Sequence, residues 1–199
     1  MKLQACLLPL SLSLLLGACD ESDAVAVRIH LRPDFSGTLT ASALERPAEG
    51  AREPLETRGV TWQSRVDLHC ATGEFARLSE LGISDATLTA GEGEGGLCFL
   101  RLSLPRGPQN HWARELVPLD AAERKSASSA FDPSGQVTEV GATVKFEVTL
   151  PSTVIGNGVT PRPRGTKFKG DGNVATLTVP VETALAEGEP IVWHLTWQK

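Results

Sequence analysis

Four cysteines, four histidines and one short run of cations are the side chains through which this 199-residue chain could do chemistry. His30, His69, His111 and His194 are scattered along the sequence. Three of them, His30, His69 and His194, take the polar parity of strands. They read either as separate solvated side chains or as one polar face on which all three meet, with no obvious carboxylate to orient an imidazole as a base. Neither Gly-x-Ser-x-Gly nor His-Glu-x-x-His occurs, and the stretch Gly91-Glu92-Gly93-Glu94-Gly95-Gly96 is no phosphate loop. Its glutamates would repel the anion, and no Lys-Ser/Thr pair follows. No residue is assigned a catalytic role, no cysteine or histidine sits at metal-ligand spacing from another, and no cofactor is implied.

The cysteines divide by position. Cys6 lies in the apolar run Leu3 to Leu16, which follows Met1-Lys2 and which Leu16-Gly17-Ala18-Cys19 closes. The run is shorter than the roughly 17–25 residues a helix needs to cross a bilayer, and small residues end it, so it reads as a secretory signal. Leu16-Gly17-Ala18-Cys19 resembles the signal of bacterial lipoproteins. That resemblance implies a diacylglyceryl group on the Cys19 thiol, with palmitate-like chains, cleavage before Cys19 and acylation of the new amine. The alternative is an ordinary signal peptide with an incidental cysteine. Each buried methylene contributes about 0.8 kcal/mol, so two or three chains anchor a protein without further help.

This divides the chain into a signal peptide (1–18), a lipidated cysteine with a short acidic tether (19–24) and one domain (25–199). The expected location is the cell envelope, on a membrane surface facing the periplasm or the exterior. Asp20 resembles an inner-membrane retention signal and tilts the expectation that way. Residues Asp20 to Asp23 span about 14 Å when extended, which holds the domain near the bilayer. Their three carboxylates are weakly repelled by anionic headgroups. The net charge of −5 argues against nucleic acid as a partner.

Cys70 and Cys98 remain, an even pair in an oxidising compartment. Val66, Leu68 and Cys70 share one parity, and Cys98, Leu100, Leu102 and Leu104 another, both apolar. A Cys70–Cys98 disulfide is expected, worth about 3.5 kcal/mol in the chain-entropy model, with two buried free thiols as the alternative. Arg162, Arg164, Lys167 and Lys169 form a local basic run with no acid between Val159 and Gly170. They read as a solvated loop or as a contact with membrane headgroups, each cation adding about 1 kcal/mol in the second case. Trp62 and Trp193 share core parity, so they are either ordinary core or walls of a cavity for an acyl chain or other hydrophobic ligand.

The elements that must position these residues are mostly strands. Val25 to Arg32 alternates strictly, Pro33 to Gly37 turns the chain, and Thr38 to Leu44 returns. Residues 45–57 read as a loop, Val60 to Cys70 as a third strand, and Thr72 as the cap of a short helix carrying Phe75, Leu78 and Leu81. Ala86–Ala90 and Leu97–Leu104 flank a mobile glycine-rich tip. Asp120-Ala121-Ala122-Glu123 opens a helix toward Ser129, and Asp132 to Gly135 makes a turn. Three further alternating runs lie at 143–150, 175–181 and 191–197, with the excursion Pro151 to Gly172 between the first two. The fold expected is α+β: a predominantly antiparallel sheet with one polar face and short helices covering the other.

Val27-Arg28-Ile29-His30-Leu31-Arg32-Pro33-Asp34-Phe35-Ser36-Gly37-Thr38, Gly141-Ala142-Thr143-Val144-Lys145-Phe146-Glu147-Val148-Thr149-Leu150-Pro151 and the ending Trp193-His194-Leu195-Thr196-Trp197 resemble LppM-like bacterial lipoproteins. The resemblance implies a strand-rich envelope domain that binds lipid or glycolipid, and it carries no functional residue across. The function expected is a non-catalytic, membrane-anchored binding or interaction module for a lipid or other hydrophobic ligand. The alternatives are a structural component with an envelope protein partner, and an enzyme assembled from dispersed polar residues.

Overall fold

A computed structural model describes residues 25–44, 60–65, 68–78, 81, 83–118, 120–131 and 141–199. The signal segment, Cys19, the tether, the 45–57 loop and the 132–135 turn lie outside them. Eleven strands are described: β1 (Ala26–Leu31), β2 (Gly37–Ala43), β3 (Val60–Arg65), β4 (Leu68–Phe75), β5 (Thr87–Glu92), β6 (Leu97–Leu104), β7 (Thr143–Thr149), β8 (Val154–Thr160), β9 (Lys167–Asp171), β10 (Val174–Pro180) and β11 (Ile191–Gln198). Helices α1 (His111–Leu116), α2 (Ala121–Phe131) and α3 (Val181–Leu185) lie between them. One sheet has the order β3-β4-β2-β1-β7-β10-β9, and a second has the order β5-β6-β11-β8. Every described ladder is antiparallel except β1–β7, which is parallel with Ala26 opposite Lys145 and His30 opposite Thr149.

Alternation decides which face each strand buries. Val27, Ile29 and Leu31 of β1, Val144, Phe146 and Val148 of β7, and Ala175, Leu177 and Val179 of β10 turn inward. From the other sheet come Leu100, Leu102 and Leu104 of β6 and Ile191, Trp193, Leu195 and Trp197 of β11, all in the same apolar cluster. Each such side chain contributes about 1.5–3 kcal/mol of burial, so the joined inner faces dominate the stability. The apolar face of the larger sheet is thus met by a second sheet as well as by α1, whose Trp112, Ala113 and Leu116 join the same cluster, where the sequence led us to expect short helices alone. Parity reveals that a face is buried but not what buries it.

The helices also close one end. The Asp85 carboxylate accepts from the backbone N–H groups of His111 and Trp112 at 2.9 and 2.8 Å, satisfying donors that the first turn of α1 leaves without partners. Asn110 caps the same turn, accepting from the Ala113 N–H at 3.1 Å. Its Nδ2 donates to the carbonyls of Gly107 and Ala184 at 2.7 and 2.8 Å, which ties α1 to α3. Trp112 reaches from α1 to the larger sheet, edge-on to Phe146 with ring centroids 5.5 Å apart. Its Nε1–H donates to the Pro105 carbonyl at 2.8 Å. Helix α2 begins where expected, with Asp120 Oδ1 accepting from the N–H groups of Ala122 and Glu123, and runs to Phe131.

Three local expectations are corrected. The run Val60 to Cys70 is two antiparallel strands, β3 and β4, paired with Arg65 opposite Leu68. The helix expected from Thr72 is the second half of β4, held by pairing with β2 from Ala43–His69 to Gly37–Phe75. Tertiary pairing overrides the local cap signal there. Gly37 belongs in that ladder because a Cβ would collide with the His30 carbonyl oxygen and with the Phe75 ring. The excursion Pro151 to Gly172 contains β8 and β9, whose glycines and charges broke the alternation. The glycine-rich tip at 91–96 is tied down rather than loose: Gln198 Nε2 donates to the Gly95 carbonyl at 2.8 Å and the Lys199 N–H to that of Gly96 at 3.0 Å.

Candidate functional site

The β1–β2 turn ends on an apolar concavity open to solvent. Asp34 Oδ1 accepts from the Ser36 N–H at 3.0 Å and the Ser36 hydroxyl at 2.6 Å, an Asx turn that fixes the chain reversal. Those hydrogen bonds, the hydroxyl first, hold the Asp34 carboxyl below its ordinary pKa, so it is ionised at neutral pH. The turn also holds Phe35 at φ 62°, an uncommon conformation for a bulky side chain. The ring is thereby aimed at the interior rather than at water. It lies 6.2 Å from the Trp197 ring, tilted by 59°.

Phe35, Leu78, Leu88 and Ala90 form the apolar floor of a cleft of about 350 Å³, with Asp34 and Arg77 on its rim. Leu88 and Ala90 come from β5, an edge strand of the smaller sheet, and Leu78 from the segment after β4. Arg32 and Glu74, paired at 3.3 Å, carry further charge beside the turn. An apolar floor under a rim of both charge signs suits an amphiphilic guest, with the tail inward and a polar end outward. None of these residues was singled out from the sequence. The signal available was Phe35, an aromatic residue inside a Pro-Asp-x-Ser-Gly turn where polar residues are usual.

The residues that were singled out lie elsewhere. Trp193 is fully buried, its Nε1–H donating to Asn157 Oδ1 at 2.7 Å, and it is packed in the core rather than set in a cleft wall. Trp62 lies on β3 opposite Ala71; its side chain is outside the described ones. His30 and His194 project from β1 and β11, outward from different sheets, so those two do not converge. His69 lies opposite Ala43 in the β2–β4 ladder. Among the described residues no group of three or more histidine, cysteine or acidic side chains could hold a metal.

Cys98 is a buried free thiol, and the side chain of Cys70, its expected partner in a bridge, is outside the described ones. Cys70 occupies a register position opposite Ser42. Burial, reinforced by the Glu92 carboxylate and opposed by Lys199, pushes the Cys98 thiol above its ordinary pKa. The native thiol therefore holds its proton to higher pH than the unfolded one. The stability this contributes is complete below the ordinary thiol pKa and is lost as pH rises above it. Iodoacetamide should label Cys98 only on unfolding, and reductant should leave Tm unchanged; a reductant-dependent Tm would restore the bridge.

The four cations sit at the opposite edge of the larger sheet. Arg162 and Arg164 are on the β8–β9 connection, and Lys167 and Lys169 on β9. All four are exposed. Arg162 lies over the Phe168 ring at 5.0 Å, a cation–π contact that extends it along the surface. Lys169 pairs with Asp171 at 3.6 Å. No family model matches this chain, and comparison with curated proteins and with solved structures finds no match.

Proposed function

We propose that the chain is a bacterial lipoprotein of the cell envelope, cut before Cys19, anchored by acyl chains on that residue, and acting as a non-catalytic binding module for a hydrophobic or amphiphilic ligand. The observation that carries the binding reading is the cleft beneath Phe35: a greasy floor open to solvent, with an ionised carboxylate and a guanidinium group at its mouth. Its volume of about 350 Å³ lies at the small end of ligand sites, which run from about 300 to 1,000 Å³. It suits one chain or a small ring system, and a two-chain lipid would leave much of itself outside.

Native mass spectrometry of the protein purified from its host tests this directly, with an added mass of a single-chain amphiphile expected. Ala90→Trp, at a half-buried wall position, should fill the cleft and weaken binding of a fluorescent fatty acid at least ten-fold while leaving the cooperative unfolding transition intact. An unchanged affinity with a folded variant would reject this cleft as the site. A second reading, a structural component of an envelope complex, is supported by Leu97, Phe99 and Ile155, which remain 41, 42 and 62% exposed. Under that reading, Phe99→Glu rather than Ala90→Trp would impair the protein in its host.

A further inference from the structure

The hydrogen-bond register crosses the larger sheet in rows, and one row links the two features most relevant to a membrane. Ala26 of β1 is opposite Lys145 of β7, Lys145 is opposite Thr178 of β10, and Thr178 is opposite Lys167 of β9. Ala26 adjoins Val25, the first described residue, whose carbonyl accepts from the Lys145 N–H at 3.0 Å. Lys167 is level with the beginning of the basic edge. Three strand spacings separate them, about 14 Å in all. The connection bearing Arg162 and Arg164 continues past this row: a Cβ on Gly165 would meet Pro180, and the Thr183 hydroxyl donates to the Arg164 carbonyl at 2.9 Å. Val25 and the cations are thus at one end of the described fold. The Phe35 cleft is toward the other, beyond Leu31, where β1 turns into β2.

We infer that the edge carrying Arg162, Arg164, Lys167 and Lys169 docks on anionic phospholipid headgroups beside the acylated N-terminus, standing the domain on that end and holding the cleft away from the bilayer. The inference rests on the proposed anchoring at Cys19. Charge selects the occupant. The cations are exposed and contiguous, and Arg162 is extended over Phe168 toward the surface. Glu182 adjoins Thr183, which holds the Arg164 carbonyl, so docking requires the domain to tilt onto the β9 edge and away from α3. The tether carboxylates Asp20, Glu21 and Asp23 repel the same headgroups, and the basic edge opposes that repulsion within a Debye length, about 8 Å at physiological salt. A cleft so oriented would receive its ligand from the aqueous side rather than draw it from the adjacent leaflet.

The test uses the full mature protein purified from its host and reconstituted into vesicles of phosphatidylcholine, with or without phosphatidylglycerol. Amine-reactive footprinting then compares Lys167 and Lys169 with Lys199, which is at the cleft end and pairs with Glu92 at 2.6 Å. Phosphatidylglycerol should slow modification of Lys167 and Lys169 by about five-fold or more, the effect of roughly one headgroup contact per cation. High salt should abolish this, and Lys199 should not respond. In an Arg164→Glu, Lys167→Glu double variant, whose sites are exposed, Lys169 should react equally on both vesicles. Headgroup-independent rates in an acylated protein would overturn the docking and leave the anchor standing. Protection of Lys167 in a protein that carries no acyl mass would overturn the anchor alone.

Discussion

Trp112→Ala is expected to destabilise the domain by about 3–5 kcal/mol, a large share of the roughly 5–15 kcal/mol by which domains are stable. The indole bridges α1, the β6–α1 connection and the larger sheet, and it is completely buried. Truncation would leave a cavity against Phe146 and would also strip the Pro105 carbonyl of its donor. Chemical denaturation followed by circular dichroism should show the midpoint fall with little change in slope, and Tm should drop by roughly 10 °C. Trp112→Phe separates the contributions: it keeps an aromatic ring near Phe146 but loses the N–H, so a loss of about 1–3 kcal/mol is expected. A Trp112→Ala protein with an unchanged midpoint would mean that α1 is not part of the cooperative core.

Cys19→Ser should have the largest effect on where the protein is found. A hydroxyl in place of the thiol cannot form the thioether, so the acylated mature form should vanish from intact-mass spectra. The chain should then appear uncut, or cut elsewhere and released from the membrane fraction. One myristoyl chain gives a membrane association constant of only about 10⁴ M⁻¹, and each added methylene contributes about 0.8 kcal/mol. Losing two or three chains therefore changes partitioning by many orders of magnitude, far beyond what the basic edge could restore. Normal processing and unchanged sedimentation of Cys19→Ser with the envelope would refute the anchoring proposal.

How much of this was legible in the residues depended on whether the physical signal was local. Strands β6, β7, β10 and β11 follow an unbroken alternation, and their inward residues were read correctly. Strand β8, with Gly156 and Gly158 in Val-Ile-Gly-Asn-Gly-Val-Thr, lacks side chains at the positions where alternation would show. The sequence between Arg65 and Leu68 has no glycine, proline or asparagine, so β3 and β4 read as one strand. The cleft was beyond reach for another reason. Phe35, Leu78 and Leu88 are distant in sequence, and no spacing rule announces that a hairpin turn, the segment after β4 and an edge strand of the other sheet will meet.

Strand β1 is flanked by β2 on one side and, in parallel, by β7 on the other. Its nearer neighbour is synthesised within a few residues, but the other arrives only after most of the polypeptide has been made. Until then half of its amides and carbonyls lack partners, and Val27, Ile29 and Leu31 lack most of their cover. Such a non-local closure makes for folding on the millisecond-to-second scale rather than microseconds. A nascent or partly translocated chain would stay open and threadable until its final third emerged, and it would need protection from aggregation during that interval.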